Sequence, residues 1–181
     1  MSSGLWIARI RDMNNSYAAL LRHGGFQAFL WTQFLGAFND NLFKMLVSVA
    51  AVSLAADQAE GARWLSAAGA VFVLPFLLFA GWAGQLADRY SKTRVLILTK
   101  ACEMAIMVGA ALALREGSVG GMLAVLFCLA AQANFFSPAK YGILPEILPE
   151  AQLMRANALL ELSTFVAIVA GGACGPILYA R

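Results

Sequence analysis

Asp40 and Lys44 stand four residues apart inside an apolar run from about 26 to 54, and Asn39 and Asn41 flank the acid. On a helix this spacing stacks both charges on one face with the acid N-terminal, the better order for an ion pair. The run is long enough to cross a bilayer, which puts Asp40 near its middle. A charge at that depth costs roughly 3 kcal/mol or more, so such residues face a bundle interior or a water-filled cavity and mark transport or relay sites. A polar cluster that only fixes helix packing is the alternative. Gln33, Gly36, Ala37, Asp40 and Lys44 form one polar-to-small stripe, which is expected to line a cavity.

Other charged residues are sparse. Glu161 lies in an apolar stretch over 156–179, four residues after Asn157 on the same face. It is the best second acidic site, with a packing role as the alternative. Lys140 follows Pro138 at the end of another apolar stretch. It could hold a phosphate, pair with Glu146, or simply anchor at the interface. Lys100 and Glu103, three apart, are expected to pair with each other near the cytoplasmic interface, where lysine can snorkel. Cys102, Cys128 and Cys174 all fall in apolar stretches, and their odd count and irregular spacing suit small apolar packing better than disulfides or zinc. His23 stands alone near a membrane entry. No nucleophile–base set, P-loop or dinucleotide loop is present, so neither an enzyme nor a cofactor is expected.

The elements that position these residues follow from composition. Hydrophobic residues make up 61% of the chain and charged residues 13%, against ~25% charged in soluble domains. No charge occurs over 64–87, 117–139 or 162–180, and each gap reaches the roughly 20 residues that a membrane helix needs. Backbone groups in lipid must be satisfied within the segment, so these stretches are helices. The reading is an all-α membrane protein with spans at about 26–54, 64–87, 95–114, 118–136 and 156–179. Residues 1–25 form a polar, basic tail. This tail and the first run do not read as a cleaved signal peptide, because the run is too long and carries Asp40 and Lys44. Arg9, Arg11, Arg22, Arg89, Lys92, Arg94, Lys140 and Arg155 fall on one side, with Arg63, Arg115 and Arg181 on the other. That asymmetry places the N-terminus in the cytoplasm. The net charge of +3 is therefore an orientation signal, and no nucleic-acid partner is expected.

Two further motifs carry a resemblance. Gly84-Gln85-Leu86-Ala87-Asp88-Arg89-Tyr90-Ser91-Lys92-Thr93-Arg94 resembles the cytoplasmic loop signature of the major facilitator superfamily, with Gly84, Leu86, Ala87, Asp88, Arg89 and Lys92 in place. Ser91 stands where glycine is usual, and Thr93 where a basic residue is usual. The resemblance implies that Gly84 permits close helix approach and that Asp88, Arg89 and Lys92 help hold two transporter halves together when the cavity faces outward. Gly171-Gly172-Ala173-Cys174-Gly175-Pro176 is similar to the Gly-x-x-x-Gly-Pro of fifth helices in that superfamily. Small residues one turn apart let helices touch backbone to backbone, and Pro176 favours a kink. The glycine pair that follows in antiporters is replaced by Tyr179-Ala180.

A narrower resemblance covers roughly 26–180. Gln33 to Asn41, Ser137-Pro138-Ala139-Lys140-Tyr141-Gly142-Ile143-Leu144-Pro145-Glu146, and Leu153 to Thr164 are similar to the bacterial lysophospholipid transporter family. It implies a carrier of lysophospholipid toward the inner leaflet of the bacterial inner membrane, with an acyltransferase and an acyl-carrier-protein ligase, separate or fused, restoring the second chain. Asp40 would then meet the ammonium of a zwitterionic head group, Lys44 or Lys140 the phosphate, with Asn39, Asn41 and Glu161 adding polar contacts. The facilitator fold pairs two six-helix bundles. Five helices ending at Arg181 are therefore expected to be an incomplete N-terminal bundle that needs the remaining half. A generic drug or metabolite carrier with proton coupling, and the membrane part of a fused acyltransferase, are the alternative readings.

Overall fold

A computed structural model describes residues 17–180. A helical stretch over 17–22 (α1) leads into α2 Gly24–Ser53, α3 Gln58–Arg89, α4 Lys92–Arg115, α5 Val119–Gly142, α6 Leu144–Ile147 and α7 Glu150–Tyr179. No strand occurs among the described residues. Arg9 and Arg11 of the tail and the terminal Arg181 lie outside them. The helices α3, α4, α5 and α7 are each long and apolar enough to cross a membrane. At 30 residues, α2 is about 45 Å long at ~1.5 Å per residue. It is not among those four because Asn39, Asp40, Asn41 and Lys44 interrupt its apolar windows.

Local chemistry sets the helix ends. His23 caps α2, its Nδ1 accepting from the Phe26 N–H at 3.2 Å. Asp57 caps α3 by accepting from the Glu60 N–H at 2.7 Å, and Glu60 reaches back to the Ala56 N–H at 2.7 Å. At the end of α4, Gly117 takes φ 63°. Its N–H donates to the Leu114 carbonyl at 3.2 Å and that of Ser118 to Ala113 at 3.1 Å, a Schellman stop that favours glycine. Ser118 then caps α5.

The long helices run up and down. Along most of its length α2 packs on α7, while α5 packs on α3 and α4 and also touches α2. The α2–α7 contact is tight at two glycines. A Cβ on Gly171 would collide with the Phe38 carbonyl oxygen, and one on Gly175 would lie 2.9 Å from the Leu42 carbonyl. These helices therefore meet backbone to backbone, where dispersion contacts are densest.

Two apolar clusters form, one at each end. Phe26, Phe29, Val95, Phe136, Ile143 and Leu160 belong to the first, and Phe43, Val47, Ala110, Met122 and Leu126 to the second. Between them lies a polar layer at the height of Asp40. Outward surfaces remain apolar: Trp31, Leu77, Trp82, Met104 and Val169 are exposed. The most apolar window of α3 is only 11% buried within the chain, so most of that surface must be covered by lipid or by further helices. Cys102 and Cys128 are exposed on these faces and only Cys174 is half-buried, which corrects the expectation that all three fill packing gaps.

Candidate functional site

The polar layer is built around Glu103, in the middle of α4 and 7% exposed. Lys100, one turn earlier, pairs with its Oε2. From α5, Gln132 Nε2 donates to the same oxygen at 3.2 Å, and from α2, Asn39 donates to Oε1 at 3.4 Å. Sequence reasoning expected the Lys100–Glu103 pair but placed it near the cytoplasmic interface. The structure puts it inside, because Gly36 leaves the space that Lys100 enters: a Cβ there would collide with the lysine Nζ.

Beside this hub lies a cavity of about 180 Å³ lined by Gln33, Gly36 and Asp40 of α2, Lys100 of α4, and Gln132 and Lys140 of α5. The expected stripe on α2 does line it, with one exception. Lys44 turns away, its Nζ lying 4.4 Å from the centre of the Phe72 ring on α3. No Asp40–Lys44 ion pair forms, contrary to the spacing argument, because an aromatic face competes for the ammonium. Asn41 also departs from expectation: its amide donates to the Ala37 carbonyl of its own helix at 2.8 Å. Two acceptors remain unpaired here. Asp40 Oδ1 and Gln132 Oε1 are buried and accept no hydrogen bond.

Near one end of the layer, Lys140 pairs with Glu161 of α7 at 3.4 Å rather than with Glu146, and the Tyr141 hydroxyl donates to the same carboxylate at 2.9 Å. Lys140 is buried while the Glu161 side chain is 45% exposed. Asn157, one turn before Glu161, has a buried, unpaired Oδ1. Further links hold the walls: Gln33 donates to Thr164 of α7 at 3.0 Å, and Asn134 of α5 to the Pro75 carbonyl of α3 at 3.2 Å. Gln132 and Asn134 were missed in the sequence, although amides in a charge-free span are themselves a signal of inward-facing positions. On the other side of Lys100, an apolar groove of about 550 Å³ runs between α2 and α4 past Phe29, Leu96 and Met104.

The loop signature makes few contacts among the described residues, and its expected partner, the other transporter half, is not part of this chain. A Cβ on Gly84 would meet nothing within 4 Å, so no helix of this chain approaches there. Asp88 and Arg89 are exposed and make no hydrogen bond or ion pair among the described residues, while the Lys92 stem lies against Gly142. Pro176 sits inside α7, and the helix continues to Tyr179. No group of three or more metal-ligating side chains occurs among the described residues.

A family model described as Major Facilitator Superfamily matches residues 29–181. The chain is 35% identical over 156 residues to proteins named Lysophospholipid transporter LplT from Salmonella schwarzengrund, Salmonella newport and Salmonella typhimurium. Each alignment covers 85% of this chain and 36% of the relative, so the chain spans about a third of the length of those curated relatives. No solved structure matches it.

Proposed function

Because this chain belongs to the major facilitator superfamily, we propose that it forms part of a carrier that moves lysophospholipid toward the inner leaflet of the bacterial inner membrane, where an acyltransferase and its acyl-carrier-protein ligase, separate or fused, restore the second chain. One observation carries the reading: Asp40, one of whose carboxylate oxygens is buried and unpaired, lines a polar cavity that Lys100 and Lys140 also line. A zwitterionic head group has one ammonium and one phosphate. Asp40 takes the ammonium, and the two lysines replace Lys44 as the phosphate side. The apolar groove beyond Lys100 suits the single acyl chain. The name of the relatives, lysophospholipid transporter, supports the same substrate class.

The test is binding and leaflet transfer of lysophosphatidylethanolamine by the purified protein in nanodiscs and vesicles. Asp40→Asn is expected to weaken binding about tenfold, or roughly 1.4 kcal/mol, with normal insertion. Lys44→Ala, whose ammonium rests on Phe72, should weaken it less. Binding of a soluble cationic drug and of no lysolipid would instead favour a generic facilitator.

The N-terminus and the helix ends and connections over 88–94 and 137–155 face the cytoplasm on this reading, from the lysine and arginine asymmetry. A cysteine replacing exposed Glu116, beside the left-handed Gly117, should react with an impermeant thiol reagent from outside the cell. One replacing Ser91 should not. The reverse labelling pattern would invert the orientation.

A further inference from the structure

We propose that Lys100 is a gate between the polar cavity and the apolar groove, shut while it pairs with Glu103 and opened when a lysolipid phosphate draws its ammonium away. The inference rests on the head-group reading above.

The two cavities meet at a single side chain. Among the described residues, Lys100 alone lines both the polar cavity and the groove. Its ammonium fills the notch over Gly36, where a Cβ would collide with it. It also lies 4.5 Å from the centre of the Phe136 ring. Gly36 and Phe136 are both walls of the polar cavity, so the charged tip of Lys100 sits among cavity residues. That boundary is where a lysolipid changes character. Its phosphate joins the polar head to the glycerol that carries the acyl chain. With the head in the cavity and the chain in the groove, the phosphate falls at Lys100. Lys140, the other cavity lysine, does not line the groove and is held by Glu161.

Opening the gate leaves a partner that is still satisfied. Glu103 keeps Gln132 Nε2 on Oε2 at 3.2 Å and Asn39 Nδ2 on Oε1 at 3.4 Å. Each carboxylate oxygen therefore retains an amide donor after the lysine leaves, and hydrogen bonds to an ionised acceptor are among the stronger ones. The ammonium exchanges one oxyanion for another. As a compact charge on a flexible stem it makes that swing without moving a helix. A single-chain lipid without a phosphate offers no such exchange. Drawing Lys100 off Glu103 for it would leave a buried charge unpaired, the costly way to break an interior ion pair. The gate thus selects for an anionic group at the head of the chain, and not for the chain itself.

The experiment uses the full chain in nanodiscs and a lysophosphatidylethanolamine with a photoreactive diazirine on its chain. Label at Phe29 and Leu96 of the groove should be competed about tenfold better by palmitoyl-lysophosphatidylethanolamine than by monopalmitoylglycerol, which has the chain without the phosphate. Label at outward-facing Leu77 and Val169 should be competed by neither. In Lys100→Ala/Glu103→Gln, which clears the notch and leaves no unpaired charge, the preference should vanish. The phosphate loses its partner there, and the glycerol lipid its barrier. In infrared difference spectra, lysophosphatidylethanolamine should shift a carboxylate band that Glu103→Gln removes, and monopalmitoylglycerol should not. Equal competition by both lipids in the unmodified chain overturns the gate, as does a preference that survives the double substitution. A carboxylate band that lipid leaves unshifted shows a pair that stays closed, and overturns it too. Cross-links between two copies across the groove, with no lipid label there, would give the groove to a second copy and overturn the gate alone. Competition by no lysolipid at all overturns the head-group reading, and the gate with it.

Discussion

Glu103→Ala is expected to lower the unfolding free energy by about 3–5 kcal/mol, the loss seen when one member of a buried ion pair is removed. The carboxylate is 7% exposed and accepts from Lys100, Asn39 and Gln132, which come from three helices. Truncating it strands the Lys100 ammonium and two amide donors in the polar layer. Replacing both Lys100 and Glu103 by methionine should recover much of the loss, because no unpaired charge is then left behind. The measurement is chemical unfolding of the detergent-solubilised chain for both single variants and the double. A Glu103→Ala protein as stable as the parent would show that the hub is solvated and carries little.

Gly171→Ala is expected to cost roughly 3 kcal/mol, the upper part of the overpacking range. The added Cβ would run into the Phe38 carbonyl, and backbone cannot swing aside as a flexible side chain can. Consequently α2 and α7 must move apart along their whole contact. Gly175→Ala should act similarly, since its Cβ would lie 2.8 Å from Met45 Cβ and 2.9 Å from the Leu42 carbonyl. Gly172→Ala, with only Met45 Cγ at 3.9 Å, and Gly84→Ala, with nothing within 4 Å, serve as controls expected to stay within about 0.5 kcal/mol. Thermal unfolding of the four variants tests this order. Equal effects at Gly171 and Gly84 would refute the close-contact account.

The two glycine motifs show how far sequence reaches. Both resemble superfamily patterns, yet only Gly171 and Gly175 meet a backbone within this chain. A glycine in a sequence states that space is available, not which helix uses it. The charged pairs teach the same lesson. Spacing of three on α4 correctly joined Lys100 to Glu103, because both ends of that pair are on one helix. Spacing of four joined Asp40 to Lys44 wrongly, because the competing Phe72 comes from α3. Lys140 found Glu161 on α7 rather than nearby Glu146 for a similar reason.

The sequence by itself determined the helices, their membrane character, the family and the inward-facing stripe on α2. Those follow from local quantities: apolar length, charge gaps, small residues one turn apart, and motifs read in order. Only the tertiary structure decided which polar groups share a cavity, that Glu103 is their hub, and that Asp40, Gln132 and Asn157 each keep a buried acceptor without a partner. A side chain's partner depends on which helices lie within about 3–4 Å of its tip. That distance is set by packing of the whole bundle, which no spacing along one helix contains.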